Sequence, residues 1–144
     1  MPRAIQIRRT AITSPELTPP VGPFSQAIEA GGFIYFSGQV AQDPATGKLV
    51  AGGIAAETER VFQNLSAVLE AAGRSFDDVV RAGVYLANMN DFVAMNGIYA
   101  RHFSQPFPPA RRSRWPRCPL WPASRSTSSS RLEATPGIQH GKRR

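Results

Sequence analysis

Residues 54–89 read IAAETERVFQNLSAVLEAAGRSFDDVVRAGVYLANM, and inside this stretch the spacing of the apolar residues changes once. Up to Ala72 the apolar stripe is Ile54, Thr58, Val61, Leu65, Val68, Leu69 and Ala72, at steps of three and four. Glu57, Arg60, Gln63, Ser66 and Glu70 fall largely off that stripe. The spacing predicts an amphipathic helix over Ile54–Ala72, stopped by Gly73. Asp77-Asp78 reads as a polar turn. Beyond it Val80, Ala82, Val84 and Leu86 alternate with their neighbours, which predicts a strand. A helix followed at once by a half-buried strand belongs to an α+β or α/β domain.

Working outward, a second helix comes next, capped by Asn90 and turning Phe92, Met95, Tyr99 and Phe103 inward. SQPFPPA then breaks it. On the other side, FSQAIEA and FIYFSGQV flank Gly31-Gly32. Two glycines between strand-like runs predict a tight hairpin, because the turns that match strand twist need positive φ. The four prolines of TSPELTPPVGP mark a loop, and Ile5 and Ile7 give a weak first strand. The order to this point is β-β-β-α-β-α, with no internal repeat. It predicts an α+β domain that still lacks one or two strands after Pro109, since otherwise a sheet edge is left open.

The residues after Pro109 do not read as strands. The net charge of the 144-residue chain is +7, and its basicity is confined to the end. Residues 1–110 carry a net −1, whereas residues 111–144 carry +8, with Glu133 their only acid. Pro116, Pro119 and Pro122 recur where a ladder would need donors. A shifted reading frame accounts for this. Each shifted codon takes the third base of one codon and the first two of the next. Trp115-Pro116 and Trp121-Pro122 must then both give Ala, and Arg114-Trp115 must give Val, Leu or Met. With TCN serines, the codons from Ser124 to Ser128 alternate apolar and polar, as a strand requires. One choice of free bases reads Thr-Val-Ala-Val-Ala-Ala-Leu-Pro-Leu-Val-Ala-Arg-Val-Glu-Ile-Asp-Val-Val-Ile-Ala, two strands around a Leu-Pro turn. The expected organisation is a domain over 1–111, incomplete at its C-terminal end, and a basic low-complexity tail over 112–144 that is out of frame.

Several classes are disfavoured. The single cysteine, Cys118, forms no internal disulfide and no metal cluster. No apolar run approaches the ~20 residues of a membrane span, and MPRAIQIRRT lacks the apolar stretch of a secretory signal. A cytoplasmic protein without a membrane partner is expected. His102 and His140 have no spaced partners for a metal, and His102 reads as a partly exposed helix residue. GGFIYFSGQV has neither the spacing nor the Lys-Ser/Thr of a phosphate loop.

GPFSQAIEAGGFIYFSGQV, DPATGKLV, NLSAVLEAAGRSFDDVVRAGVYLANMNDF, MNGIYARHF and FPPAR together resemble the RidA (YjgF, endoribonuclease L-PSP) family, over about residues 17–111. The shifted reading also resembles that family's last two strands. The resemblance implies a chorismate-mutase-like mixed sheet with two helices on one face, its last two strands missing or replaced in this chain. It implies a homotrimer with active sites between subunits. The implied activity is hydrolysis of small enamine or imine carboxylates to 2-oxo acids and ammonia, as by 2-iminobutanoate/2-iminopropanoate deaminase, with no metal or cofactor.

The resemblance also assigns residues. Arg111 in PPAR matches the family's arginine, whose guanidinium can hold a substrate carboxylate by two parallel hydrogen bonds. Ser37 and Gly38 match the family's SGQ, and Asn96 matches an asparagine near the cleft. Phe24 stands where the family usually has tyrosine, keeping a ring wall without the hydroxyl. The family's last-strand glutamate has no match in the chain as translated. Glu133 is out of pattern, whereas the shifted Val-Glu-Ile-Asp restores a carboxylate. Two other readings remain open: a non-enzymatic ligand-binding or chaperone-like trimer, and an RNA-associated member whose tail stacks Trp115 and Trp121 on bases. Nucleic acid is the less favoured partner, because out-of-frame sequence rich in G and C gives the same tail.

Overall fold

A computed structural model describes residues 7–114 and 130–134, the last segment and 112–114 as backbone only. The strands are β1 (Arg9–Ile12), β2 (Ala27–Ala30), β3 (Phe33–Phe36), β4 (Gln39–Val40), β5 (Ala82–Leu86), β6 (Ala110–Arg114) and β7 (Ser130–Ala134). The helices are α1 (Gly53–Ala71) and α2 (Phe92–His102). β1, β2 and β3 form an antiparallel sheet. The second sheet runs β4-β7-β5-β6; its β5–β6 pair is parallel and its other pairs antiparallel. α2 is the crossover that a parallel β5–β6 pair requires. This is the expected α+β class with mixed pairing.

The hairpin forms as its glycines dictate. Ala30 pairs with Phe33, and Gly31 and Gly32 hold φ of 60° and 80°. No neighbouring atom would meet a Cβ at either position, so backbone conformation rather than space selects glycine there.

α1 is the centre of the core. Val61, Phe62 and Val68 are wholly buried, and Leu65 nearly so. The period places Val61, Leu65 and Val68 correctly, but Phe62, Asn64 and Glu57 are also buried. The helix buries a wider arc than one stripe because α2, β4 and β7 all pack on it. Phe62 lies edge-on to Phe76, Tyr99 and Phe103, at centroid distances of 5.5, 6.0 and 5.8 Å. α1 ends where expected. The Gly73 N–H donates to Glu70 O (2.9 Å) and the Arg74 N–H to Leu69 O (2.8 Å), with Gly73 at φ 65°. This closure leaves the helix-terminal carbonyls paired. Replacing Gly73 by Ala is expected to cost about 1 kcal/mol, the penalty of a left-handed L-residue. Chemical denaturation should read it as a lower midpoint at unchanged slope.

Two local expectations are corrected and a third, the need for further strands after Pro109, is met. β5 starts at Ala82, and Val80 is 49% exposed while Val79 is buried, because a short 3₁₀ turn over Phe76–Asp78 resets the phase. Asn90 does not cap α2. Asn88 instead accepts the Asn90 N–H at 3.0 Å in a 3₁₀ turn that leads into the helix. The two missing strand positions are filled, by Ala110–Arg114 and by Ser130–Ala134 of the tail, so the sheet is not left open at β5. Among the described residues no helix is long and apolar enough to cross a membrane.

Candidate functional site

Ser37 and Gly38 join β3 to β4. The Ser37 N–H donates to Gln26 O (2.9 Å) and its hydroxyl to Ser25 O (2.6 Å). With its proton so engaged, the hydroxyl oxygen is free to accept. Gly38 is not among the described glycines with positive φ, so the backbone alone does not require glycine there. The Gln26 amide in turn staples the proline-rich loop. It accepts the Ser14 N–H at 2.6 Å and donates to Ser14 O at 3.3 Å, and both residues are buried. Between this loop and the strand ends lies a cavity of about 590 Å³, lined by Phe24, Ser37, Gly38, Gln39 and Asn64 among others. Phe24 forms an open wall, at 68% exposure.

Asn96 lies elsewhere. It is exposed on α2 and lines a second cavity of about 500 Å³ with Phe92, Met95, Tyr99, Phe107 and Ala110. The two cavities share no lining residue among those described. Tyr99 is buried as the period predicts. Its hydroxyl has no hydrogen-bond partner among the described residues, and burial raises its pKa above the usual tyrosine value. Arg111 is exposed and lines neither cavity. It sits on β6 in register with Gly83 of β5, whose other neighbour is Glu133 of β7. Arg111, Gly83 and Glu133 therefore form one row across three strands, each step close to about 4.8 Å. By sequence pattern Glu133 is no candidate. The backbone register puts it level with Arg111, and no local signal in the tail reveals that.

A further polar cluster joins the two helices. Arg101 (2.5 Å) and His102 (3.0 Å) both meet Glu59, tying α2 to α1. His102 also stacks on Phe62 at 4.2 Å, with an interplanar angle of 4°. The pair is solvent-accessible, so each contact contributes little to stability. Among the described residues no group of three or more His, Cys, Asp or Glu could hold a metal ion. Trp115, Cys118, Trp121 and His140 lie outside the described residues.

Comparison with known proteins agrees with this fold. The Endoribonuclease L-PSP family model matches residues 15–113. A RutC family protein of Pyrococcus horikoshii is 49% identical over 89 residues, 62% of this chain and 71% of that protein. The human protein named 2-iminobutanoate/2-iminopropanoate deaminase is 41% identical over 100 residues, 69% and 73% of the two chains. The solved RidA of an Antarctic Psychrobacter superposes with a TM-score of 0.78 at 32% identity, covering 90% of this chain and 99% of that one. The family match thus ends at Ser113, two residues beyond Arg111. On the matched segment and the shared fold, the chain belongs to the RidA/YjgF family, whose sequence model is described as Endoribonuclease L-PSP.

Proposed function

We propose that this protein hydrolyses small enamine or imine carboxylates in the cytoplasm, as a homotrimer and without a cofactor. Water adds to the imine carbon, the carbon–nitrogen bond breaks, and a 2-oxo acid and ammonia leave. Arg111 carries the reading. It is an exposed guanidinium beside Gly83, a neighbour with no side chain to obstruct a bound carboxylate. The relatives named as deaminases, 42% and 41% identical, support the same reaction class. Phe24, Ser37 and Gly38 provide a wall for the substrate, and Asn96 a second surface. Because these line separate cavities in one chain, a cleft that uses both draws them from two copies. Exposed Val21 and Phe24 beside one cavity and Phe107 beside the other are apolar surfaces that such packing would cover.

The proposal includes the frame change after Arg111. β6 places Arg112 level with Val84 and Arg114 level with Leu86, and both β5 residues are 2% exposed. The shifted frame puts Thr and Ala at these two register positions, beside the apolar residues of β5. The abrupt end of the family match at Ser113 supports the same change.

The test supplies 2-iminobutanoate, generated freshly by a dehydratase, to purified protein and follows 2-oxobutanoate and ammonia. Release faster than the spontaneous rate in both channels supports the deaminase. Binding of 2-oxobutanoate without acceleration would favour a ligand-binding trimer instead, the reading that Phe24 without a hydroxyl keeps in play.

A further inference from the structure

The cavity beside Ser37 and Gly38 has one helical lining residue among those described, Asn64. We infer that Asn64 is a positioning residue that holds the Ser37–Gly38–Gln39 wall in place, an inference that rests on reading that wall as part of the imine site. Asn64 sits in the middle of α1 and is 4% exposed. Asparagine is a poor helix former, and a buried turn of helix ordinarily takes an apolar residue. A buried amide is tolerated only when its donors are used. Here both are: Nδ2 donates to Val40 O at 3.2 Å and to Gln42 O at 2.9 Å.

Those carbonyls belong to β4 and the residues just after it, the segment that carries the wall. β4 is two residues long and lies at the end of its sheet order, so few ladder bonds fix it. Ser37 and Gly38 precede it directly. Ser37 is also held by its bonds to Ser25 O and Gln26 O, on the β2 side, and by Gln39 Nε2, which donates to Ser37 O at 3.3 Å. On the downstream side, where the Val50 N–H also donates to Ala41 O at 2.9 Å, Asn64 supplies the anchor that ties Val40 and Gln42 to α1. Its own base is rigid, because Val61, Leu65 and Val68 beside it on α1 are at most 1% exposed.

Asn64→Leu keeps the branched outline, with a somewhat larger side chain, and removes both donors. Amide hydrogen exchange of the 144-residue chain, read by mass spectrometry, should be about tenfold or more faster in peptides covering Ser37–Gln42, with Val61–Leu69 within about twofold of the parent. In the frame-restored chain, KM for 2-iminobutanoate should rise about tenfold with kcat within about threefold, the pattern of lost ground-state positioning. Asn64→Gln keeps the donors on a longer stem and should fall between parent and Leu variant in both readouts; it carries the comparison if Asn64→Leu does not fold. Exchange that quickens equally in both peptides, or in neither, overturns the inference. Exchange needs no turnover, so it judges the anchor even if the parent protein deaminates nothing.

Discussion

Restoring the frame after Arg111 is expected to raise ammonia release from 2-iminobutanoate by at least about 10²-fold over the 144-residue chain as translated. A positioned general base is typically worth about 10²–10⁴-fold, and the restored Val-Glu-Ile-Asp segment supplies one on a strand. The correction also removes Arg112 and Arg114 from the rows of Val84 and Leu86. Stability should therefore rise with activity: the restored chain should unfold at higher denaturant and run as a trimer in sedimentation. The row Arg111–Gly83–Glu133 gives the contrary outcome a definite form. If the chain as translated matches the restored one in rate, and Glu133→Gln abolishes that rate, the tail has furnished its own carboxylate and the frame change is refuted. Resequencing the codons from Pro108 to Arg131 tests the proposed shift directly.

The same boundary separates what is legible in the sequence from what is not. The β2–β3 hairpin, α1 and β5 each advertise themselves locally, through paired glycines, a three-and-four spacing and an alternation. Their registers then follow within a residue or two. Phe62, Asn64 and Glu57 escape a stripe drawn along a single helix face, because α1 is packed from more than one side. β6 and β7 are illegible for a different reason. ARRSR has no apolar alternation and SRLEA only the short pair Leu132 and Ala134, and their place depends on pairing with β5, a contact between residues far apart in the chain. Glu133 comes level with Arg111 only through that register. Arg111 itself is legible only through a motif, and nothing in its local periodicity distinguishes it from Arg112.

The distinction between those two arginines is the second large effect. Arg111→Ala in the frame-restored chain is expected to lower kcat/KM for 2-iminobutanoate by about 10²–10⁴-fold. A carboxylate held by two charge-assisted hydrogen bonds loses both, each worth about 1.5–3 kcal/mol, and a decade in rate corresponds to about 1.4 kcal/mol. Arg111→Lys keeps the charge but not the planar fork, so it should recover part of the loss, mostly in KM. Stability should change by no more than about 0.5 kcal/mol, because Arg111 is exposed and its substitution opens no core cavity. In the chain as translated, Arg112→Ala should leave whatever turnover exists unchanged and raise stability, since it takes a charge away from the row of buried Val84. Parent-like kinetics for Arg111→Ala would sink the carboxylate clamp. A fall in activity accompanied by an equal fall in unfolding midpoint would mean that Arg111 supports the β5–β6 pair rather than the substrate.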